Sequence, residues 1–203
     1  TLDRSSAASD VYKRQVIIRA MKRTKLPIWQ TEGYNPRTYV TFMLPLSLGQ
    51  EGEHEAMDFR MLEDVPADEI RDRLNAALPA DIRVTEVTVP KDKNTDITAA
   101  RYRIESSADP EKLRALCEKE QINIEKRTKK GSAIVDLKQL MTDVELDGNV
   151  LRVTFPAGTT FNINPSLLFE AYAAEYGEKV KRLRIVRTNI YLSLIHISEP
   201  TRL

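Results

Sequence analysis

The order of helical and strand-like patterns in residues 100–191 constrains the fold more than any other feature of this sequence. Strict alternation of apolar and polar residues predicts strands, and apolar residues spaced three or four apart predict helices. Applied along this half, the two rules give the order β-α-β-β-β-β-α-β. Without one extra hairpin this order is βαββαβ, which predicts a ferredoxin-like α+β sandwich.

Turn and cap residues support these elements independently. Asp109 followed by Pro110 is typical of a helix N-terminus, and Gly177 is typical of a helix end. The pair Asp147-Gly148, flanked by apolar alternation, predicts a tight hairpin. The order of elements in this half therefore depends on two different kinds of observation.

The first half, residues 16–89, gives a shorter version of the same order. After a basic helix, the patterns predict strands over 40–46 and 57–61, a helix from Pro66 and a strand over 82–89. The resulting order, α-β-β-α-β, lacks only an opening strand. We therefore expect two tandem ferredoxin-like (βαββαβ) sandwiches, the first lacking its opening strand.

Two polar stretches interrupt the apolar patterns. Residues 90–99 are charged and polar, which predicts a linker between an N-terminal half, 16–89, and a C-terminal half, 100–191. A run of alternating glutamates between two predicted strands of the first half indicates an acidic loop. Its members are Glu51, Glu53 and Glu55, beside Gly49 and Gly52.

Both ends of the chain resemble the translation of sequencing-adaptor DNA. A DNA sequence that encodes Asp10–Gln15 has a reverse complement that encodes Leu192–Ile197. We expect these ends, residues 1–15 and 192–203, to be adaptor-derived artefacts and leave them out of the fold prediction. The natural segment is then 16–191, and we expect it to be a truncated fragment.

Composition narrows the possible functions. Without the two ends, acidic and basic side chains balance, so only local basic patches favour a polyanionic partner. No apolar run approaches the roughly 20 residues of a membrane span, so we expect no membrane association. Cys117 is alone, which predicts a core thiol in a reducing cytoplasm, and His54 in the acidic loop is expected to be exposed. We expect no metal, no cofactor and no catalytic residue.

One stretch carries a family-like signature. It reads Glu-Gly-Tyr-Asn-Pro over 32–36, Thr-Phe at 41–42, Pro-Leu-Ser-Leu-Gly over 45–49, and Glu to Asp over 55–58. This pattern resembles the radical SAM-linked protein family, bacterial proteins of unassigned activity that are encoded beside, or fused to, a radical SAM enzyme. The resemblance extends along 16–191 and includes the segment from Arg187 to Tyr191.

The resemblance implies an accessory protein that works with a radical SAM enzyme. That enzyme needs a trio of cysteines for its iron–sulfur cluster, and this chain has Cys117 alone, so we expect a non-catalytic partner. The family opens with a strand and a segment containing a histidine and an aspartate, which do not precede Val16 here. Arg37 and Thr38 stand where the family commonly has His-Pro.

We predict substrate binding, with RNA as the candidate substrate, by three groups of residues. They are the turn of the signature, a basic hairpin tip and the last strand. Basic tips on a fold that often carries RNA on its sheet face favour this substrate. The candidates are Glu32, Tyr34, Asn35, Arg37, Lys126, Arg127, Lys129, Lys130, Arg182, Arg184 and Arg187.

Two alternatives stay open. The protein can be a structural scaffold that only stabilises the radical SAM enzyme and binds no RNA. It can also be a metal-independent ribonuclease, because tandem ferredoxin-like domains occur in nucleases that process CRISPR repeats. Tyr34, Arg37 and Tyr39 are the residues that would contribute to that chemistry.

Overall fold

The structure, a computed structural model, describes residues 14–47, 49–90, 94–128 and 131–192, without the side chains of 94 and 126–128. These residues form a mixed α+β fold, as predicted, in two compact units. The first unit includes the described residues before Gly49 and those from Ala56 to 90. The second unit includes Gly49–Glu55 and the described residues from Asn94 onward.

A helix opens the described structure, and the helices and strands are numbered separately in chain order. The helices are α1 (14–23), α2 (Ala67–Ala77), α3 (Pro110–Glu118) and α4 (Ser166–Tyr176). The strands are β1 (Val40–Phe42), β2 (Gln50–Gly52), β3 (Met57–Phe59), β4 (Ile97–Ser106), β5 (Asn123–Thr128), β6 (Gly131–Asp136), β7 (Thr142–Asp147), β8 (Val150–Pro156) and β9 (Leu183–Leu192).

The first unit has two helices and a small sheet. β1 and β3 pair antiparallel, with Val40 opposite Phe59. Both strands have three residues, which is shorter than the alternation in the sequence predicts, and β1 ends three residues before Pro45. Helix α2 begins after Pro66, as expected. The buried core of this unit includes Met21, Leu26, Ile28, Val40, Ile70 and Leu74.

The predicted strand over 82–89 is wrong, because this segment joins no sheet within the described residues. A side chain of α2 takes the place of a neighbouring strand. The side-chain amide of Asn75 donates to the carbonyl of Val84 at 2.9 Å and accepts from the amide of Val84 at 2.8 Å. Val84 and Val87 still pack against the core. The alternation therefore reflects burial without strand pairing.

The second unit contains a five-stranded sheet in the order β2-β9-β4-β8-β7. β4 pairs antiparallel with both β8 and β9, and β7 pairs antiparallel with β8. Thus β4 and β7 run in the same direction with β8 between them, and β8 and β9 run in the same direction with β4 between them. Two interleaved split βαβ units of this kind make up the βαββαβ arrangement. The β5–β6 hairpin forms a separate sheet.

Alternating burial along β4 gives that strand one covered side and one partly exposed side, although Val186 and Thr154, which lie opposite residues of the partly exposed side, are themselves buried. On β4, Tyr102 and Ile104 are buried, whereas Arg103 and Glu105 are partly exposed. Helices α3 and α4 supply buried side chains to the covered side, and the amide of Asp109 donates to the hydroxyl of Tyr172 at 3.2 Å. The face that carries Arg103 and Glu105 is called the open face below.

The predicted caps and hairpin of this unit are confirmed. The side chain of Asp109 accepts from the amides of Glu111 and Lys112, and Gly177 ends α4 with a φ of 68°. β7 and β8 form a hairpin in which Asp147 lies opposite Val150. A glycine suits this turn because the φ of Gly148 is 56°.

Two predictions of irregular chain need correction. The acidic loop is in part a strand, because β2 pairs parallel with β9 and Glu51 lies opposite Val186. The segment predicted as a linker over 90–99 contains a short 3-10 turn, Asn94–Asp96, and the start of β4 at Ile97. Both segments are polar, so hydropathy alone predicts coil, but the neighbouring strand β9 offers each of them a partner. Leu192 ends β9 opposite Ile97.

Candidate functional site

The turn of the signature forms a closed loop in the first unit, which we name the tyrosine loop (29–39). Gln30 and Thr38 form an antiparallel bridge, and the amide of Tyr39 donates to the carbonyl of Trp29 at 3.1 Å. Nearer the tip, the amide of Thr31 donates to the carbonyl of Arg37 at 2.8 Å. These bonds hold the loop closed, so its tip is presented in a defined shape.

The tip of the tyrosine loop exposes its side chains. Tyr34 is fully exposed, and Glu32, Asn35 and Arg37 are exposed as well. Gly33 has a φ of 129°, a conformation that favours glycine and turns the chain toward Tyr34. None of the four exposed side chains bonds to another residue within the described part of the chain. They do no structural work there and are available to a ligand.

An aromatic cluster lies at the base of this loop. The rings of Trp29 and Tyr39 meet edge to face with centroids 5.3 Å apart, and the guanidinium of Arg60 lies 5.6 Å from the ring of Trp29. Tyr39 is 43% exposed. Aromatic rings and arginines that share a partly exposed surface are typical of sites where nucleic-acid bases stack. The signature did not include Trp29 or Arg60, although both residue types suit such a site.

The second unit uses its charged residues differently. Residues 50–55, named the acidic clasp, lie along β9 and bring three glutamates to arginines of the sheet. Glu51 accepts from Nε of Arg184 at 3.0 Å and from Nη2 at 2.8 Å, which is a bidentate pair. That hydrogen bond to Glu51 raises the pKa of Arg184. Glu53 pairs with Arg103 at 2.9 Å.

The third pair of the clasp is buried. Arg187 is 2% exposed, and its guanidinium forms a bidentate pair with Glu55, whose side chain is 32% exposed. The amide of Glu53 also donates to the carbonyl of Arg187 at 3.0 Å. Arg187 lies opposite the buried Tyr102. Burial raises the pKa of Tyr102, although the hydrogen bond and the charge of Arg187 lower it.

The packing of the clasp favours a glycine at position 52. A Cβ atom at Gly52 would lie 2.6 Å from Cδ of Glu55, well inside van der Waals contact. That carboxylate cannot move freely because Arg187 holds it. Gly52 therefore lets the chain turn back so that Glu55 reaches Arg187.

The predicted binding residues of the last strand are in different environments. Arg187 is buried and Arg184 is paired with Glu51, so neither presents an uncommitted guanidinium of the kind predicted for an RNA-binding strand. Arg182 precedes β9 and is exposed, and its amide donates to Ser107 at 3.1 Å. Tyr34 and its neighbours, by contrast, are grouped in one loop as expected.

The predicted basic tip lies outside the described structure. Lys129 and Lys130 are not among the described residues, nor are the side chains of Lys126 and Arg127. Only the backbone pairing of β5 with β6 is described, with Lys126 opposite Ala133. The role of this tip in binding stays a prediction.

The open face of the second unit also carries an arginine pair that the sequence analysis missed. Arg103 on β4 lies directly opposite Arg152 on β8. Like charges at opposite positions of a sheet repel each other. Glu53 neutralises part of this charge, and Glu105 lies 3.8 Å from Nε of Arg103. That Nε atom is buried and makes no hydrogen bond to a described residue.

A cleft of about 800 Å³ lies between α1 and α2 in the first unit, and arginines line it. Two of them bond to helix ends. Arg23 donates to the carbonyl of Ala77 at 2.6 Å, and Arg73 donates to the carbonyl of Thr24 at 2.6 Å. Cations at helix C-termini stabilise helices. The two helices thus cap each other, which accounts for these arginines structurally.

Cys117 and His54 lie in different surroundings. Cys117 is buried in α3, and burial raises the pKa of its thiol to about 11, as suits a core thiol. His54 is exposed within the clasp. Among the residues that the structure describes, no three histidine, cysteine or carboxylate side chains cluster closely enough to hold a metal ion. None of the described helices is both long and apolar enough to span a bilayer.

Comparison with known families places this chain in one of them. The model of a family described as an uncharacterised protein conserved in bacteria (DUF2344) matches residues 11–165, and the chain belongs to that family. The match includes the tyrosine loop and the clasp. No curated protein and no solved structure matches the chain.

Proposed function

We propose that this protein is a non-catalytic accessory partner of a radical SAM enzyme in the bacterial cytoplasm, and that it presents an RNA substrate for modification. The tyrosine loop carries the proposal. Its tip exposes an aromatic ring, an amide and a guanidinium that have no partner within the described residues. Such side chains stack on unpaired bases and hydrogen-bond to their edges.

The shape of the loop favours recognition. Backbone bonds close it on both sides of the tip, so little conformational entropy is lost when a ligand orders it. Trp29, Tyr39 and Arg60 at the base of the loop add further aromatic and cationic groups. The partnership with a radical SAM enzyme comes from the resemblance in the signature, of which the loop is the first part.

A scaffold role is the second candidate, and Glu32 favours it. Its carboxylate lies on the same tip as Tyr34 and would repel a phosphate backbone. Tyrosine and arginine are also the residues that dominate protein–protein contacts. The ribonuclease alternative has less support, because the loop contains neither the histidine nor the lysine that such a site would need beside Tyr34.

Fluorescence anisotropy with a labelled single-stranded RNA tests the RNA proposal. We expect Tyr34→Ala to weaken binding about tenfold or more, because stacking is worth roughly 1–3 kcal/mol per base. Tyr34→Phe keeps the ring and should bind almost as well as the wild type. Arg37→Ala should also weaken binding, whereas Arg114→Ala, an exposed arginine of α3, should not. Equal affinity for all four variants would contradict the proposal.

Co-purification tests the partnership separately. The protein and a radical SAM enzyme from the same genome are expressed together, with an affinity tag on one of them. We expect both to elute in one complex, with or without ribonuclease treatment. Elution as separate proteins would remove the accessory role. Co-elution together with no RNA affinity would favour the scaffold.

A further inference from the structure

We infer that the open face of the second unit is a binding site for a phosphate chain, and that the acidic clasp occupies this site within the molecule. The inference rests on the proposed function only for the identity of the natural ligand, which would be the RNA backbone. The site itself is defined by Arg103, Arg152 and Arg184, named the arginine row. All three lie on neighbouring strands β4, β8 and β9.

Cross-strand register brings the row together. Arg103 is opposite Arg152 on one side and opposite Val186 on the other. Arg184 is opposite Glu105, two residues along β4 from Arg103. A sheet gains nothing from two arginines at opposite positions, because they repel each other. Glu105 lies 3.8 Å from Arg103 and 3.5 Å from Arg184, and Glu145 on β7 lies opposite Arg152, so the sheet itself offsets part of this charge. An anion over the row would offset the rest.

The clasp supplies that anion in part. Glu51 holds Arg184 and Glu53 holds Arg103, so carboxylates take the positions of two successive anionic groups. Arg152 has no carboxylate of the clasp, and Nε of Arg103 has no hydrogen-bond partner among the described residues. The row therefore keeps more donor capacity than the clasp uses.

Replacing the two outer glutamates of the clasp by phosphate groups should cost little folding free energy. The Glu51 and Glu53 side chains are 53% and 42% exposed, and exposed ion pairs contribute little to stability. The Arg187–Glu55 pair is buried and lies at the far end of the segment. It anchors the clasp while the two outer glutamates leave the row. The clasp thus lowers the affinity of the site without being lost from the fold.

Titration with polyphosphate, a phosphate chain without bases, tests the site. The test variant is Glu51→Gln/Glu53→Gln, and the control is Glu118→Gln/Glu120→Gln. The control removes the same charge from exposed glutamates that have no arginine partner in the described structure. Binding is measured by competition against a labelled oligouridylate over a range of salt concentrations.

We expect the test variant to bind polyphosphate about fivefold more tightly than the wild type at low salt, as suits the loss of two exposed competing pairs. Its affinity should also fall more steeply with salt. The slope of log K against log salt should steepen by about 1.4, since each phosphate contact of a single strand contributes about 0.7. The control should follow the wild type.

Arg152→Gln supplies a second test. In the background of Glu51→Gln/Glu53→Gln it should reduce the salt slope by about 0.7, because one phosphate contact is lost. In the wild-type background it should reduce the slope by less, since the clasp still engages Arg103 and Arg184 beside it. Equal gains for the test and control variants would show that the gain comes from the change in net charge alone, and would overturn the site.

The outcomes also separate this inference from the proposed function. Polyphosphate has no bases, so Tyr34→Ala cannot abolish the gain from the clasp substitutions. If Tyr34→Ala leaves RNA affinity unchanged but the clasp variant gains affinity for polyphosphate, the RNA proposal for the loop fails and the phosphate site stands. If the clasp variant gains nothing while Tyr34→Ala weakens RNA binding, the reverse holds.

Discussion

The two units differ in whether their polar surface side chains have partners within the same unit. In the first unit, the exposed side chains at the tip of the tyrosine loop have no partner within the described residues. In the second unit, arginines that look equally available in the sequence are engaged by the acidic clasp. A charged side chain in a strand pattern is therefore a poor indicator of a binding surface. The search for its counter-charge has to include distant segments.

The sheets of the two units also differ in the length of their strands. The first unit pairs two strands of three residues each. In the second, β4 and β9 have ten residues each and pair along nearly their whole length. More of the backbone hydrogen bonds in the second unit are therefore protected inside a continuous ladder. We expect the second unit to be the more stable of the two.

Matched truncations of core leucines test the difference in stability between the two units, and we expect them to have the largest effects. Leu151→Ala on β8 and Leu74→Ala on α2 each remove a fully buried leucine and should each cost about 3 kcal/mol. Trp29 is the sole tryptophan, so its fluorescence reports on the first unit during urea unfolding. Leu74→Ala should shift that transition strongly, whereas Leu151→Ala should mainly shift the far-UV circular dichroism. Identical shifts in both signals would remove the distinction between the units.

Removal of the buried charge pair tests what anchors the clasp. Glu55→Gln should destabilise the second unit by about 2 kcal/mol, less than for a fully buried pair because Glu55 is 32% exposed. Gly52→Ala should have a smaller effect in the same direction, because its Cβ displaces the same carboxylate. Circular dichroism in urea measures both, with Glu118→Gln as the control. A neutral Glu55→Gln would mean that the clasp is not anchored by Arg187.

Asn75→Ala tests whether the side chain of Asn75 holds the segment over 82–89 in place, as a neighbouring strand would. The side chain makes two hydrogen bonds to Val84, so its loss should cost about 1–2 kcal/mol. Hydrogen exchange should speed up at the amide of Val84 first. Asn75→Asp keeps an acceptor for that amide and should be less harmful. Unchanged exchange at Val84 in Asn75→Ala would show that apolar packing alone holds 82–89.

The pH dependence that Cys117 gives to the second unit is a further test, and near neutral pH its effect is absent. Burial raises the pKa of its thiol from 9.0 to about 11. A group whose folded pKa is raised contributes stability below the unfolded pKa, and loses it as the pH rises through the folded pKa. Between about pH 8 and pH 10.5, the wild type should therefore lose more stability than Cys117→Ala. Parallel losses in urea unfolding would show that the thiol is not protected by burial.

The sequence predicted most of the second unit because its signals are local. Asp109, Gly148 and Gly177 define helix and hairpin boundaries through their own backbone preferences, and the structure agrees with each. The covered face of β4 also follows the apolar alternation. Local preference and burial together were sufficient for the βαββαβ order of this half.

The clasp and the segment over 82–89 were missed for the opposite reason. A strand exists only with a neighbour, and the neighbour of β2 is β9, more than a hundred residues away in the chain. Polar Gln50 and the flanking glutamates gave no apolar signal, although their period-two spacing is that of a strand. Over 82–89 the apolar signal was present, but Asn75 replaces the neighbour.

The candidate site was predicted in part. The signature identified the tip of the tyrosine loop, because glycine and proline there indicate a turn with exposed neighbours. It did not identify Trp29 at the base of the loop or Arg60 after β3, whose guanidinium lies against the Trp29 ring. The pairing of Glu55 with Arg187 joins two segments of the signature that sequence alone could not connect.

Crosslinking of the wild type and of Glu51→Gln/Glu53→Gln to a 4-thiouridine RNA, followed by peptide mass spectrometry, tests the contrast between the units most directly. In the wild type we predict crosslinks mainly to the tyrosine loop, 29–39, with far fewer to β4 and β9. In the variant, crosslinks to peptides of β4 and β9 should join those of the loop. Wild-type crosslinks on β9 without any on the loop would contradict the account.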